Sequence, residues 1–80
     1  MKILKFSADW CRPCKKLTET LGQMVLPYPV ISKDVDAEPD LASEYSVRSV
    51  PTMILVDAHG TEFSRLVGPQ TKADIMEWVK

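Results

Sequence analysis

Two cysteines are the residues of this sequence whose type and spacing could do chemistry. Cys11 and Cys14 are the only cysteines among the 80 residues, and Arg12 and Pro13 separate them. Cysteines at this spacing are close enough to form a disulfide. A structural zinc site would need four ligands, and because His59 lies in a distant turn, such a site would have to form between two chains. The pair is therefore a structural disulfide, half of a shared zinc site, or a redox pair.

The spacing favours the redox pair. A purely structural disulfide that closes so short a loop would add little stability. If a helix begins near Cys11, its free N–H groups and its dipole favour a thiolate at that position. Basic side chains at Arg12, Lys15 and Lys16 add positive charge, which Asp9 opposes. We expect Cys11 to be the exposed, more acidic thiol and Cys14 to be buried and poorly reactive.

The composition is that of one ordinary globular domain spanning residues 1–80, with 45% hydrophobic and 26% charged residues. Lysine and arginine number 10 against 11 aspartates and glutamates, so no basic excess predicts nucleic acid binding. The apolar N-terminal stretch is interrupted by Lys5, and no segment is long enough to span a membrane. We therefore expect a cytoplasmic protein, in which an isolated cysteine pair is more often catalytic or metal-binding than structural.

The first half of the chain reads as strand, helix, strand, helix. The predicted elements are a strand at 2–6, a helix at 11–25, an edge strand at 30–35 and a short helix within 36–45 that starts near Pro39. The apolar positions of the first helix, which define its buried face, are Cys14, Leu17, Leu21, Met24 and Val25. Pro13 falls in the first turn, where backbone N–H groups have no intrahelical partner.

The second half adds a hairpin and a last helix. The continuous apolar run at 52–57 predicts a central strand buried on both faces, and 62–67 predicts its hairpin partner. Thr71 followed by Asp74 resembles a capping box that begins a helix with Trp78 on its buried face. The order β-α-β-α-β-β-α predicts an α/β protein with a four-stranded mixed sheet flanked by helices.

Four stretches of the sequence resemble those of a known family. W-C-R-P-C-K at 10–15 resembles the W-C-G-P-C-K active site of thioredoxins, and the resemblance continues through V-D-A-E-P at 35–39, Y-S-V-R-S-V-P-T at 45–52 and V-G-P-Q-T-K at 67–72. It implies a thioredoxin-like fold. The sequence begins where the family's second strand begins, so we expect the family's N-terminal strand and helix to be absent and one sheet face to be more open.

The resemblance also implies a site and a mechanism. The Val50–Pro51 bond would be cis and lie against the cysteines, and Trp10 would form one wall of the site. The backbone of Val50 would pair with an extended segment of a client protein. Cys11 would attack the client disulfide as a thiolate and Cys14 would resolve the mixed disulfide. The resemblance implies neither a cofactor nor a metal.

Two residues depart from the family pattern. Arg12 stands where glycine is usual, and Lys5 stands where thioredoxins carry a buried aspartate that is thought to relay a proton. An unpaired charged lysine is costly to bury, so Lys5 is either neutral with a lowered pKa or reaches water with its ammonium. We expect the second arrangement, through the more open face of the sheet.

The predicted function is reduction of protein disulfides by a small monomeric enzyme. The expected partners are disulfide-containing clients, of which ribonucleotide reductase is one candidate, and an electron donor that is a thioredoxin reductase or glutathione. Neither nucleic acid nor membrane is expected as a partner. The alternatives are a glutathione-dependent glutaredoxin and a thioredoxin-fold binding module in which the cysteines are incidental.

Overall fold

The sheet combines one parallel pair of strands with two antiparallel pairs. The computed structural model describes all residues, 1–80. Its elements are β1 (Lys2–Ser7), α1 (Arg12–Gly22), β2 (Val30–Asp34), α2 (Pro39–Glu44), β3 (Thr52–Val56), β4 (Glu62–Val67) and α3 (Lys72–Trp78). The strand order is β2-β1-β3-β4, with β1 parallel to β2 and antiparallel to β3, and with β3 antiparallel to β4. The predicted four-stranded mixed sheet is confirmed.

Strand β3 lies inside the sheet, as its continuous apolar sequence predicts. All five of its residues are buried. Met53 and Leu55 pack on one side of the sheet, and Ile54 and Val56 pack on the other. Because both faces of β3 are covered, none of its side chains faces solvent, which explains why its sequence is apolar rather than alternating.

The two faces of the sheet are covered unequally. Helices α1 and α3 cover one face, where the buried cluster contains Ile3, Leu17, Met53, Leu55, Ile75 and Val79. The six-residue helix α2 covers the other face, over Leu4, Phe6, Ala42, Ile54 and Val56. Side chains two residues apart along β1 point to the same face, so Lys5 lies with Ile3 on the face that carries two helices.

Helix α1 ends earlier than the sequence predicts. The predicted helix runs to Val25, whereas the observed helix ends at Gly22. The N–H groups of Gln23 and Met24 donate to carbonyls three residues back, at Thr20 and Leu21, which tightens the last turn. Val25 is 95% exposed, so its predicted place on the buried face is wrong.

The other helix starts follow their local signals. Helix α2 begins at Pro39, where its start was predicted. Helix α3 has the predicted capping box, in which the Thr71 hydroxyl accepts the Asp74 N–H and the Asp74 carboxylate accepts the Thr71 N–H. None of the three helices has the length and hydrophobicity that crossing a membrane requires.

Candidate active site

The cysteine pair lies at the turn between β1 and α1. Cys11 and Cys14 form a disulfide, with their Cα atoms 5.3 Å apart. Cys11 is the N-cap residue of α1, with extended backbone, and its N–H donates to the carbonyl of Ala8 at 3.1 Å. The Cys11 Sγ accepts the backbone N–H of Cys14 at 3.2 Å. The first cysteine therefore occupies the capping position that a serine or aspartate side chain usually fills.

The two cysteines are equally buried, contrary to the expectation that Cys11 is exposed. Cys11 is 4% exposed and Cys14 is 3% exposed. In this disulfide form they make a small cluster with Ala8, against which Val35 and Val50 pack. The difference between the two sulfurs is therefore electrostatic, because Cys11 is the one that accepts a hydrogen bond from the helix N-terminus.

Trp10 extends from the site into solvent. It is 70% exposed, and its indole Nε1 donates to the Asp36 Oδ2 at 2.9 Å. The Asp36 N–H donates to the Asp34 Oδ1 at 2.8 Å, which fixes the turn after β2. Sequence reasoning did not select Asp36, because 26 residues separate it from Trp10 and no local pattern marks the contact.

A small concave surface, here called the inner groove, runs from Trp10 to the loop before β3. It encloses about 170 Å³ and is lined by Trp10, Val35, Val47, Arg48, Ser49 and Val50. Of the predicted site residues it brings together Trp10 and Val50, beside the sulfur cluster. Its apolar members Val35 and Val47 were not predicted as site residues, although Val35 lies in the quoted V-D-A-E-P stretch.

The loop that carries Pro51 is tied down on both sides. The Val50–Pro51 peptide bond is cis, and Pro51 is fully buried. The Thr52 hydroxyl donates to the Ser49 carbonyl at 2.7 Å, and the Gly68 N–H donates to the Pro51 carbonyl at 2.8 Å. Gly68 has a φ of 86°, a conformation that glycine adopts without strain, so its position beside Pro51 suits this residue type.

Lys5 does not reach water, and this corrects the expectation. Only 6% of Lys5 is exposed, and its Nζ donates to the Thr18 hydroxyl of α1 at 2.7 Å. The same hydroxyl donates to the Cys14 carbonyl at 3.1 Å. Burial lowers the pKa of the Lys5 amine below its ordinary value. The expectation fails because Lys5 faces α1, whereas the more thinly covered face of the sheet is the one under α2.

The remaining residues of the motif are exposed and lie in the first turn of α1. Arg12 and Pro13 begin the helix, and Lys15 and Lys16 follow on its solvent side. Arg12 takes part in no ion pair, so its charge adds to the field at the helix N-terminus, where Cys11 lies. The structure contains no cluster of three or more side chains able to hold a metal ion.

Comparisons with known proteins agree with this site. The Thioredoxin family model matches residues 1–80. Thioredoxin H5 of Oryza sativa is 41% identical over 82% of this chain, which spans half of that relative's length. A thioredoxin of Chlamydia trachomatis is 40% identical over 96% of this chain and 78% of its own.

Solved structures agree as well. A mutant thioredoxin from Halobacterium salinarum superposes with a TM-score of 0.81 at 38% identity, covering 96% of this chain and 69% of its own. Oxidised mitochondrial thioredoxin 3 of Saccharomyces cerevisiae gives a TM-score of 0.83 at 28% identity, over 96% of this chain and 74% of its own. The chain therefore belongs to the thioredoxin family, a family of thiol–disulfide oxidoreductases, and Cys11 and Cys14 are its C-x-x-C pair.

Proposed function

We propose that this protein reduces disulfide bonds of client proteins, with Cys11 as the nucleophile and Cys14 as the resolving thiol. One observation carries the proposal: the Cys11 Sγ caps α1 and accepts the backbone N–H of Cys14. In the reduced protein the same N–H group and the helix dipole stabilise a thiolate on Cys11. A thiolate, rather than a thiol, is the species that attacks a disulfide.

The reaction then proceeds in two exchanges. The Cys11 thiolate attacks one sulfur of the client disulfide, the client S–S bond breaks, and the other client sulfur leaves with the electron pair and takes up a proton. Cys14 loses its proton and attacks the Cys11 Sγ, which releases the second client sulfur and forms the Cys11–Cys14 disulfide. Two electrons pass from the cysteine pair to the client. A thioredoxin reductase or glutathione then restores the dithiol.

The inner groove is where we place the client chain. Neither the N–H nor the carbonyl of Val50 makes a hydrogen bond within the protein, so both are free to pair with an extended segment. In this proposal the cis-Pro51 holds that backbone against the sulfurs, and Trp10 forms the opposite wall. Main-chain pairing gives affinity that does not depend on the client sequence, which suits a reductase of several clients.

The proposal extends to the oligomeric state of the protein, its location in the cell, its client and its electron donor. We propose that residues 1–80 form one domain and that the protein is a monomer that works in the cytoplasm and needs no cofactor. Ribonucleotide reductase is one candidate client. Turnover with thioredoxin reductase and NADPH, compared with turnover with glutathione and glutathione reductase, identifies the electron donor.

Reduction of insulin by the protein with dithiothreitol tests the activity. We expect the wild-type protein to accelerate insulin precipitation and Cys11→Ser to have no activity. Cys14→Ser should accumulate a mixed disulfide with insulin, because the resolving thiol is absent. If the double Cys11→Ser, Cys14→Ser variant still supported the biological role of the protein, the binding-module alternative would replace this proposal.

Alkylation tests the roles of the two cysteines. At neutral pH we expect iodoacetamide to label Cys11 of the reduced protein several-fold faster than Cys14, because Cys11 carries more thiolate. Peptide mapping by mass spectrometry gives the two rates. Faster labelling of Cys14 would reverse the assignment of nucleophile and resolving thiol.

A further inference from the structure

A second concave surface, here called the outer groove, continues from the inner groove along α2. It encloses about 410 Å³, and its lining residues are Val35, Pro39, Ala42, Ser43, Ser46, Val47 and Arg48. Three residues, Val35, Val47 and Arg48, line both grooves. The two grooves are therefore adjacent, and Val35 and Val50 of the inner groove pack against the cysteine pair.

The outer groove differs from the inner groove in chemistry. Besides apolar side chains it offers the hydroxyl groups of Ser43 and Ser46, and its only charged lining residue is Arg48. Arg48 is exposed and belongs to none of the three ion pairs of the structure. No carboxylate of the protein neutralises this guanidinium, so it is free to bind one from outside.

The position of Arg48 relates it to the client. Arg48 lies two residues before Val50, whose backbone receives the client chain in the function proposed above, and both residues line the inner groove. Alternate residues of an extended chain lie on one side, about 6.6–7 Å apart. Because Arg48 and Val50 line the same groove, a client side chain two residues from the one opposite Val50 is the one that we expect within reach of the Arg48 guanidinium.

We propose that the outer groove is a client-binding subsite in which Arg48 binds an aspartate or glutamate side chain close to the client cysteine. This inference rests on the proposed function, because it assumes that the client chain pairs with Val50. Beside the inner groove, the Asp36 carboxylate accepts a hydrogen bond from Trp10 and repels acidic side chains there. The subsite therefore selects for the position of the acid as well as for its charge.

Model peptides give a direct test. Each peptide carries one cysteine as a mixed disulfide with thionitrobenzoate, whose release is followed by its absorbance, and a Glu, Gln or Lys two residues before or after the cysteine. We expect the Glu peptide to react about two- to five-fold faster than the Gln peptide at one of the two positions, the range of an exposed ion pair. The preference should shrink at high salt.

Charge variants of Arg48 identify the group that reads the acid. Arg48→Gln should abolish the preference for Glu, and Arg48→Glu should reverse it in favour of Lys. Lys72→Gln is the matched control, because it removes the same charge from α3, outside both grooves. Its preference should equal that of the wild-type protein.

The outcomes separate this inference from the proposed function. If the Gln peptides react and the Glu preference is absent in wild type or survives Arg48→Gln, the subsite is wrong and the reductase stands. If no peptide reacts with the reduced protein, the proposed function fails and the subsite fails with it. A preference that Lys72→Gln also abolishes would reflect overall charge and would overturn the role of Arg48.

Discussion

The amine of Lys5 is the residue-scale feature that most separates this site from its family pattern. Its Nζ has one hydrogen-bond acceptor, the Thr18 hydroxyl, and no carboxylate partner. Burial penalises the charged amine, so the pKa of Lys5 is lower in the folded than in the unfolded chain. Below the folded pKa the Lys5 amine is charged in both states, but only the folded protein has to bury that charge. Lys5 therefore costs stability at neutral pH, and the cost disappears as the pH rises towards the unfolded pKa of 10.5.

We predict that Lys5→Met stabilises the fold at neutral pH. Methionine keeps the length of the side chain without the charge, and each unit by which a pKa is lowered corresponds to about 1.4 kcal/mol. The gain should be largest at about pH 7 and should be smaller at about pH 10, because the cost of burying the charged amine falls as the pH rises through the lowered folded pKa towards 10.5. Urea unfolding at both pH values, followed by circular dichroism, measures the difference.

Lys16→Met is the control for this prediction, since Lys16 is an exposed lysine on the solvent side of α1. It should change stability little at either pH. A Lys5→Met protein that is less stable than wild type at neutral pH would show that the hydrogen bond to Thr18 outweighs the cost of burying the amine.

At the scale of single residues, long-range contacts decide what the sequence could not predict. The cysteine pair and the loop at Pro51 carry their own sequence patterns. The partners of Trp10 and Lys5 do not, because Asp36 and Thr18 come from other elements and reach the site only when the chain has folded. The sequence therefore predicts the reactive residues but not the hydrogen-bond partners that position the side chains around them.

At the scale of elements, helix starts were predicted more accurately than helix ends. Thr71 and Asp74, which lie within four residues of each other, exchange two hydrogen bonds, so the local sequence encodes the start of α3. The end of α1 depends on competition between a continuing apolar pattern through Val25 and the turn at Gln23, whose N–H donates to the Thr20 carbonyl. The turn prevails, and the apolar periodicity alone does not reveal it.

We predict that Thr71→Ala destabilises the protein by about 1 kcal/mol, within the range of about 0.5–2 kcal/mol for N-cap removal. The loss matters to the core because Ile75 of α3 and Val79, the residue that follows the helix, belong to the cluster under α1. Denaturant unfolding measures the change. Thr61→Ala is the matched control, because the Thr61 hydroxyl makes no hydrogen bond, whereas its backbone N–H donates to the Asp57 carboxylate and its carbonyl accepts the Asp57 N–H.

The same cap has a pH dependence. Hydrogen bonds from the Thr71 backbone and side chain hold the pKa of the Asp74 carboxyl below its ordinary value of 3.8. The stability that this carboxylate contributes is present above 3.8 and is lost as the pH falls through the lower folded pKa. The difference between wild type and Asp74→Ala, which removes the carboxylate, should therefore narrow in acid. A constant difference down to that range would show that the charge of the Asp74 side chain adds nothing to the cap.

At the scale of the whole molecule, the active site joins three separate parts of the chain. The turn after β1 supplies the cysteines, the turn after β2 supplies Asp36, and the loop before β3 supplies Pro51. The sheet order β2-β1-β3-β4 brings these turns together. That order follows from two sequence patterns, the β-α-β unit and the hairpin, and so the general location of the site was predictable although its hydrogen bonds were not.

The disulfide itself contributes little to this architecture. It links residues three apart in sequence, whereas the sheet and the two buried clusters link segments across the whole chain. We predict that the reduced protein keeps its fold and unfolds cooperatively. It should be less stable than the oxidised protein by at most about 2 kcal/mol, the loop-entropy effect for so short a closure.

The Cys11 thiolate reduces the difference in stability between the oxidised and the reduced protein. Its hydrogen bond from the Cys14 N–H exists only in the folded protein and stabilises the reduced form, so the observed gap should be smaller than the loop effect alone. Urea unfolding with and without dithiothreitol gives the gap, and equal slopes show that both forms unfold to the same extent. The Cys11→Ser, Cys14→Ser protein should unfold identically in the two conditions. A reduced protein that loses its cooperative transition would mean that the disulfide holds the fold together, and a pair required for folding could not cycle between its two redox forms during catalysis.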